Sequence, residues 1–381
     1  MFLARLGLSA VQNIFGSKAS ENDVDPNDIL ESLNLVRNCI DSHGLTPGLE
    51  TEHLRRGVIQ CTVDLMQDLF DHDESWKMID RDPTDPNKLQ IAQLLIQFSE
   101  RFQIFPKSLF ITVEPSSIRP QRAGTNSQIY SGQWKDLKVA ITLLRSHGRS
   151  VRLYKNDPAH NKLFLECLRW RQLRHPNVVQ LFGVDITNIG HAPTLIYPWI
   201  EKGNIRDHIE KLTQKPELER LMSWSCDIAR GMAYLHKMGI AHGDLRGNNI
   251  LLSDGDNALV TDVVLYSFLE ESTIPYPRKN TPERWMAPEF LDTSEPSYAS
   301  DSYSFGLVCI EIFTGKIPFP DLSVGLVVAK MSEGDFPVKP DTMPDHVWSL
   351  ARACWNYVPQ RRPTMEQLLY DLSRSGQASD S

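Results

Sequence analysis

His242-Gly243-Asp244-Leu245-Arg246-Gly247-Asn248-Asn249 places a carboxylate and a carboxamide five residues apart, just after a stretch of helical apolar spacing that ends Tyr234-Leu235-His236. Thirteen residues beyond Asn249 stands a second carboxylate, Asp262. A hydroxyl attacking a phosphoryl group needs a carboxylate to orient it and take its proton, and the phosphates need hard oxygen ligands that hold Mg²⁺ against them. Asp244, Asn249 and Asp262 have the chemistry for both tasks.

Further along come Trp285-Met286-Ala287-Pro288-Glu289, Asp301-Ser302-Tyr303-Ser304-Phe305-Gly306, Cys354-Trp355 and Arg361-Arg362-Pro363-Thr364-Met365. In this order the blocks resemble the protein-kinase superfamily and, within it, the tyrosine-kinase-like group. The resemblance covers roughly residues 119 to 373. It implies an α+β bilobal fold, with a small antiparallel-sheet N-lobe over 119–197, a hinge over 198–204 and a helical C-lobe over 205–374. By the same resemblance Asp244 stands as catalytic base, Arg246 where many Ser/Thr kinases have Lys, and Asn249 and Asp262 as the metal ligands. Glu289 and Arg362 fall at the family's buried structural ion pair. The implied cofactors are ATP and Mg²⁺, and the implied partner or substrate is a protein in a signalling pathway.

Upstream, Leu195-Ile196-Tyr197-Pro198-Trp199-Ile200-Glu201-Lys202-Gly203-Asn204 resembles the hinge, with the backbone of Pro198 and Ile200 facing the adenine edge and Tyr197 as gatekeeper. Glu166, ahead of the His175-Pro176-Asn177 turn, matches the helix glutamate that pairs with the third-strand lysine, and Leu251 matches the adenine floor. Gly124, Ile129, Ala140 and Thr142 complete the nucleotide-binding positions.

Several of these positions depart from the pattern of an active kinase. Val139-Ala140-Ile141-Thr142 carries threonine where the family's lysine grips the α- and β-phosphates. Removing one preorganised donor from such a site costs about 10²–10³ in rate, and a hydroxyl is no substitute for an ammonium. The glycine-rich loop reads Arg122, Gly124 and Ser127 at its three glycine positions, which limits close approach of the backbone to phosphate. Arg122 is a candidate replacement charge there. Asp262-Val263-Val264 keeps the ligand and loses the aromatic and the glycine that follow it in the family. Gly243 replaces the arginine that receives a phosphorylated activation loop in many kinases, so phosphate on Ser267, Ser272, Thr273, Tyr276 or Thr281 has no such receptor. Two expectations follow: a pseudokinase or very weak kinase, and an active Ser/Thr kinase using the intact Asp244, Asn249 and Asp262.

Of the 381 residues, 40 are Lys or Arg and 48 are Asp or Glu, a net charge of -8 that argues against nucleic acid and anionic membranes as partners. The imbalance is local, because residues 1–118 hold 10 basic and 18 acidic side chains and the remainder hold 30 of each. The six cysteines form no CxxC pair, which speaks for a reducing, cytoplasmic setting and against a zinc site. No apolar run approaches the ~20 residues that cross a bilayer.

Residues 1–24 read as a flexible or amphipathic N-terminus, with Leu3, Leu6, Ala10 and Ile14 at helical spacing; an organelle transit peptide is the competing reading. Residues 25–118 read as a helical extension and linker. Its three helices are marked by Ile29 to Ile40, Leu54 to Leu69 and Ile91 to Phe102, with a loop over 71–85. Period-two spacing predicts strands at Leu109–Val113, Gln128–Trp134 and Leu137–Leu144. Helices are predicted at Phe164–Leu173, Leu221–His236, Tyr298–Thr314, Val347–Trp355 and Met365–Leu372, and a disordered tail over 375–381.

Overall fold

The computed structural model describes residues 49–72, 86–117, 119–123, 127–146, 149–150, 158–187, 193–263, 284–293 and 295–375. The expected first helix, the N-terminal 24 residues, Gly124, Val264, the candidate phosphorylation sites and residues 376–381 lie outside these. The chain forms two compact units that part between Ile111 and Thr112.

In the first unit, α1 (Leu49–His72) and α2 (Pro86–Phe102) match the second and third predicted helices. Ile59, Val63, Met66 and Phe70 recur every three to four residues along α1 and are buried, as are Ile91, Leu94, Leu95 and Phe98 on α2. That period is what puts one stripe of each helix out of water. Gln60 Nε2 donates to the Phe105 carbonyl at 3.0 Å, tying the chain after α2 back to α1. The strand predicted from Leu109 does not form. Lys107–Leu109 is instead a 3₁₀ turn closed by Leu109 N donating to Pro106 O at 3.0 Å. Leu109 and Val113 are both buried, four residues apart, and the apparent alternation between them is not realised as a ladder.

The second unit begins earlier than the expected boundary at 118, because its first residues are stitched to the sheet. Val113 N donates to Asp185 Oδ2 at 2.8 Å and Ser116 N to Ser131 O at 2.7 Å. The sheet comprises β1 (Arg122–Ala123), β2 (Ser127–Trp134), β3 (Leu137–Ser146), β4 (Arg149–Ser150), β5 (Gly183–Asp185) and β6 (Thr194–Pro198). Its order is β1-β2-β3-β6-β5 with β4 on β3, and every pairing is antiparallel. Register puts Ile129 opposite Thr142, Ser131 opposite Ala140, and Ala140 opposite Tyr197, so these side chains share one face. Helix α3 (Pro158–Arg171) packs Leu163, Leu168 and Trp170 completely out of solvent.

The helical half contains α4 (Ile205–Lys211), α5 (Leu218–Lys237), α6 (Pro288–Thr293), α7 (Tyr298–Thr314), α8 (Val324–Ser332), α9 (Asp345–Cys354) and α10 (Met365–Ser375), with a small β7 (Ile250–Leu252) and β8 (Ala258–Val260) hairpin. The four helices predicted in this half all appear, and α10 runs through Ser375, the first residue of the expected tail. The two lobes are thus a small antiparallel sheet with one helix and a larger helical body.

Helix α7 is the centre of that body. Residues 300 to 313 are all buried, as expected of a helix apolar on most sides. Ser297 and Ser300 form a reciprocal capping box at its start, and Gly315, at φ 68°, ends it in the left-handed region that glycine enters without strain. Gly306 has no room for a side chain: a Cβ there would lie 2.6 Å from Trp355 Nε1.

Candidate functional site

Asp244 lies in a loop whose backbone is clamped from below. Asp301 on α7, 1% exposed, accepts from His242 N at 2.8 Å and Gly243 N at 2.9 Å. It also meets His236 Nε2 at 2.9 Å. Gly243 sits at φ 76°, a conformation that suits glycine there. The buried His242 ring accepts from Asp244 N through Nδ1 at 3.1 Å, and its Nε2 lies 2.9 Å from Thr261 O. One imidazole therefore ties the Asp244 loop to the residue preceding Asp262.

The structure brings Asp244, Asn249 and Asp262 together. Asn249 Nδ2 donates to both the carbonyl and Oδ2 of Asp244, each at 2.9 Å, leaving Asn249 Oδ1 as an oxygen donor. Arg246 Nε stands 3.1 Å from Asp244 Oδ1, so this guanidinium is paired with the carboxylate. Asp262 adopts φ 58°, an uncommon left-handed conformation for a non-glycine residue. Burial, and behind it the negative charge of Asp244, push the Asp262 carboxyl up to about 6. Burial also raises Asp244, against the pull of Arg246, His242 and Asn249. Asp262, whose ionisation the Asp244 charge disfavours, and the carboxamide oxygen of Asn249 are oxygen donors of the kind Mg²⁺ takes. Among the described residues no group of three or more His, Cys, Asp or Glu is arranged to hold a metal by itself. Phosphate oxygens are the natural remaining ligands.

The nucleotide-facing positions are also assembled, with one decisive difference. Thr142 on β3 donates its hydroxyl to Tyr197 Oη at 2.6 Å, and both residues are buried. Burial, then the Asp262 charge, drive the Tyr197 phenol far above its ordinary value. A neutral hydroxyl pair thus occupies the β3 position that the resemblance assigns to a lysine. Glu166 on α3 has a different neighbour: Lys162, one helical turn earlier, feels the Glu166 carboxylate as the influence that opposes its own depression by burial. Arg122 does not reach toward the phosphates. Its Nη1 donates to Ile200 O at 3.0 Å and its Nη2 to Glu201 O at 2.8 Å. Of the hinge groups expected to face adenine, the Ile200 carbonyl is therefore already engaged. Ala140 lies buried on β3, and Leu251 sits on β7 where it bridges to Asn204.

Other groups stabilise the site without having been assigned a role from sequence. Lys162 stands four residues before Glu166 in the sequence, and His242 and Asp301 lie within the blocks that contain Asp244 and Tyr303. Glu311 on α7 accepts from Gly247 N and Trp285 Nε1, each at 3.0 Å, and a Cβ on Gly247 would sit 2.6 Å from its Oε1. Burial pushes Glu311 up to about 7. The protonated form is thus favoured in the folded state, which binds more protons than the unfolded chain between pH ~4.5 and ~7. Stability should fall as pH rises through that window, by up to about 3 kcal/mol from this group. Glu311→Gln should flatten the pH dependence of the melting midpoint between pH 5 and 8; an unchanged slope refutes the assignment.

Glu289 and Arg362 form the expected pair, with Arg362 Nη2 to Glu289 Oε2 at 2.8 Å. A two-lobed body with this carboxylate–carboxamide loop, a hinge and this ion pair defines a protein-kinase domain. Residues 120–372 match the family described as protein tyrosine and serine/threonine kinase, and the chain belongs to that family. It is 29% identical over 255 residues to a probable serine/threonine-protein kinase of Dictyostelium discoideum, an alignment covering 65% of this chain and 15% of that protein. It is 31% identical over 253 residues to the dual specificity protein kinase pyk3 of the same organism, covering 66% and 18%. Tyrosine-protein kinase SRK2 of Spongilla lacustris is 27% identical over 328 residues, covering 84% of each chain. The chain thus spans under a fifth of the length of the two Dictyostelium relatives. Among the described residues no helix is long and apolar enough to cross a membrane.

Proposed function

We propose that this kinase domain binds nucleotide with Mg²⁺ in a signalling role and transfers phosphoryl groups weakly or not at all, as a pseudokinase of tyrosine-kinase-like type. The observation that carries this reading is the Thr142–Tyr197 hydroxyl pair at 2.6 Å, which stands where an ammonium would neutralise phosphate charge. Arg246 is turned to Asp244 and Arg122 to the hinge, so neither supplies that charge. Asp262 and Asn249 would hold Mg²⁺, whose contribution is to neutralise phosphate oxygens. The chain's own part is to orient the acceptor hydroxyl at Asp244 and to hold adenine between Ala140 and Leu251.

A second reading, an active Ser/Thr protein kinase with Asp244 as base, is favoured by the intact hydrogen bonds between Asn249 and Asp244. Labelled ATP with Mg²⁺ or Mn²⁺ and generic protein substrates separates the two. Under the first, wild type incorporates no more label than Asp244→Asn; clear excess over that variant establishes the second. Nucleotide binding is checked independently by a melting shift: ligand at ~100 times its dissociation constant adds about 2.7 kcal/mol. No shift up to millimolar ATP rejects binding.

A further inference from the structure

We infer that Arg122 is a latch across the mouth of the nucleotide cleft, closing the sheet onto the hinge and competing with the adenine end of any ligand. The inference rests on reading this cleft as a nucleotide site. Arg122 lies on β1 opposite Ile129, at the roof of the cleft. Its two terminal nitrogens reach successive hinge carbonyls, Ile200 O and Glu201 O, 78 and 79 residues away. The guanidinium also lies 4.6 Å from the centre of the Trp199 ring. Two charge-assisted hydrogen bonds and an aromatic face hold one planar cation, which is the geometry arginine satisfies and lysine does not.

The hinge is shaped to receive it. Gly203, at φ 73°, turns the chain beside the guanidinium, and a Cβ there would approach Arg122 Nη1 to 3.1 Å. Lys138 on β3 approaches Trp199 as well, 5.0 Å from the ring centre, and pairs with the Glu201 carboxylate. The indole is thus contacted by cations from two neighbouring regions of the sheet, and Glu201 takes one of them on its backbone and the other on its side chain. A ligand that uses the Ile200 carbonyl, or that needs the roof to lift from the hinge, must first release Arg122.

The test is titration calorimetry on the full chain with adenosine, which has no phosphate, and with ATP and Mg²⁺. If the latched state holds ~90% of the molecules, freeing the cleft improves apparent affinity about tenfold. Arg122→Gly should therefore tighten adenosine and ATP alike, and Arg122→Lys should fall between it and wild type, because one point charge cannot span two carbonyls. Hydrogen exchange at the amides of residues 199–203 should quicken in Arg122→Gly without any ligand. Unchanged or weaker adenosine binding in a protein that does bind it overturns the latch and leaves the nucleotide reading standing. Weaker ATP binding with adenosine unchanged also overturns it, by showing that Arg122 grips phosphate. Adenosine and ATP binding by neither protein sinks both, and unchanged exchange at the hinge sinks the latch alone.

Discussion

Thr142→Lys combined with Tyr197→Thr is expected to raise phosphoryl transfer by about 10²–10³ over wild type, the value of one preorganised donor at a developing charge, or about 2.7–4 kcal/mol. The pairing matters. Tyr197 Oη lies 2.6 Å from the Thr142 hydroxyl, so a lysine introduced alone meets a phenol where its ammonium must pass. Thr142→Lys by itself should gain far less, and Tyr197→Thr by itself should gain nothing, because it opens space without adding charge. The excess of the double variant over the two singles is the coupling to be measured. Glu166 must also turn from Lys162, its neighbour on α3, to the new ammonium on β3. Incorporation of labelled phosphate, abolished by adding Asp244→Asn, reports the gain. A double variant no faster than wild type would place the defect in the glycine-poor loop instead.

Arg362→Ala is expected to remove about 3–5 kcal/mol of stability, through loss of a fully covered guanidinium that pairs with the part-exposed Glu289 and serves two carbonyls. Arg362 has a fully covered side chain that forks onto both Glu289 oxygens. It also donates to the Asn356 carbonyl at 2.8 Å and the Ala299 carbonyl at 3.0 Å, and its guanidinium lies 4.9 Å from the Tyr303 ring centre. Deleting it strands a carboxylate and two carbonyls together. For a domain of this size each kcal/mol lowers the midpoint by roughly 2–4 °C, so a fall of about 10 °C or more is the expected readout. Arg362→Lys should recover only part, since an ammonium cannot bridge both carboxylate oxygens. A shift under about 2 °C would show that the pair contributes no net stability.

The helices, the β2–β3 hairpin and the chemical triad were legible in the sequence because each is encoded within a few dozen residues: period in the helices, alternation in the strands, fixed spacing around Asp244. What Arg122 does was not legible, since its partners lie 78 and 79 residues away and nothing in its neighbourhood specifies a direction for the side chain. Its position suits a spare cation for phosphate, and its contacts turn it to the hinge. Thr142 reads in sequence as the loss of a charge, and its partner Tyr197, 55 residues on, is visible only in the hydroxyl–hydroxyl contact of the folded sheet. The strand at Leu109 failed for a related reason: alternation over five residues carries no information about whether a neighbouring strand exists to pair with it.

Asp301 gives the Asp244 loop its shape from α7, a helix embedded in the body of the domain, by binding two backbone amides that never meet a substrate. The loop is therefore inherited with the scaffold, in the way a keystone's outline is inherited from its arch. A lineage that stopped transferring phosphate would still be selected to keep His242, Gly243 and Asp301 for folding, and would carry Asp244 and Asn249 in register with them. An intact Asp244 loop therefore reports a well-folded helical lobe, and by itself says nothing of phosphoryl transfer.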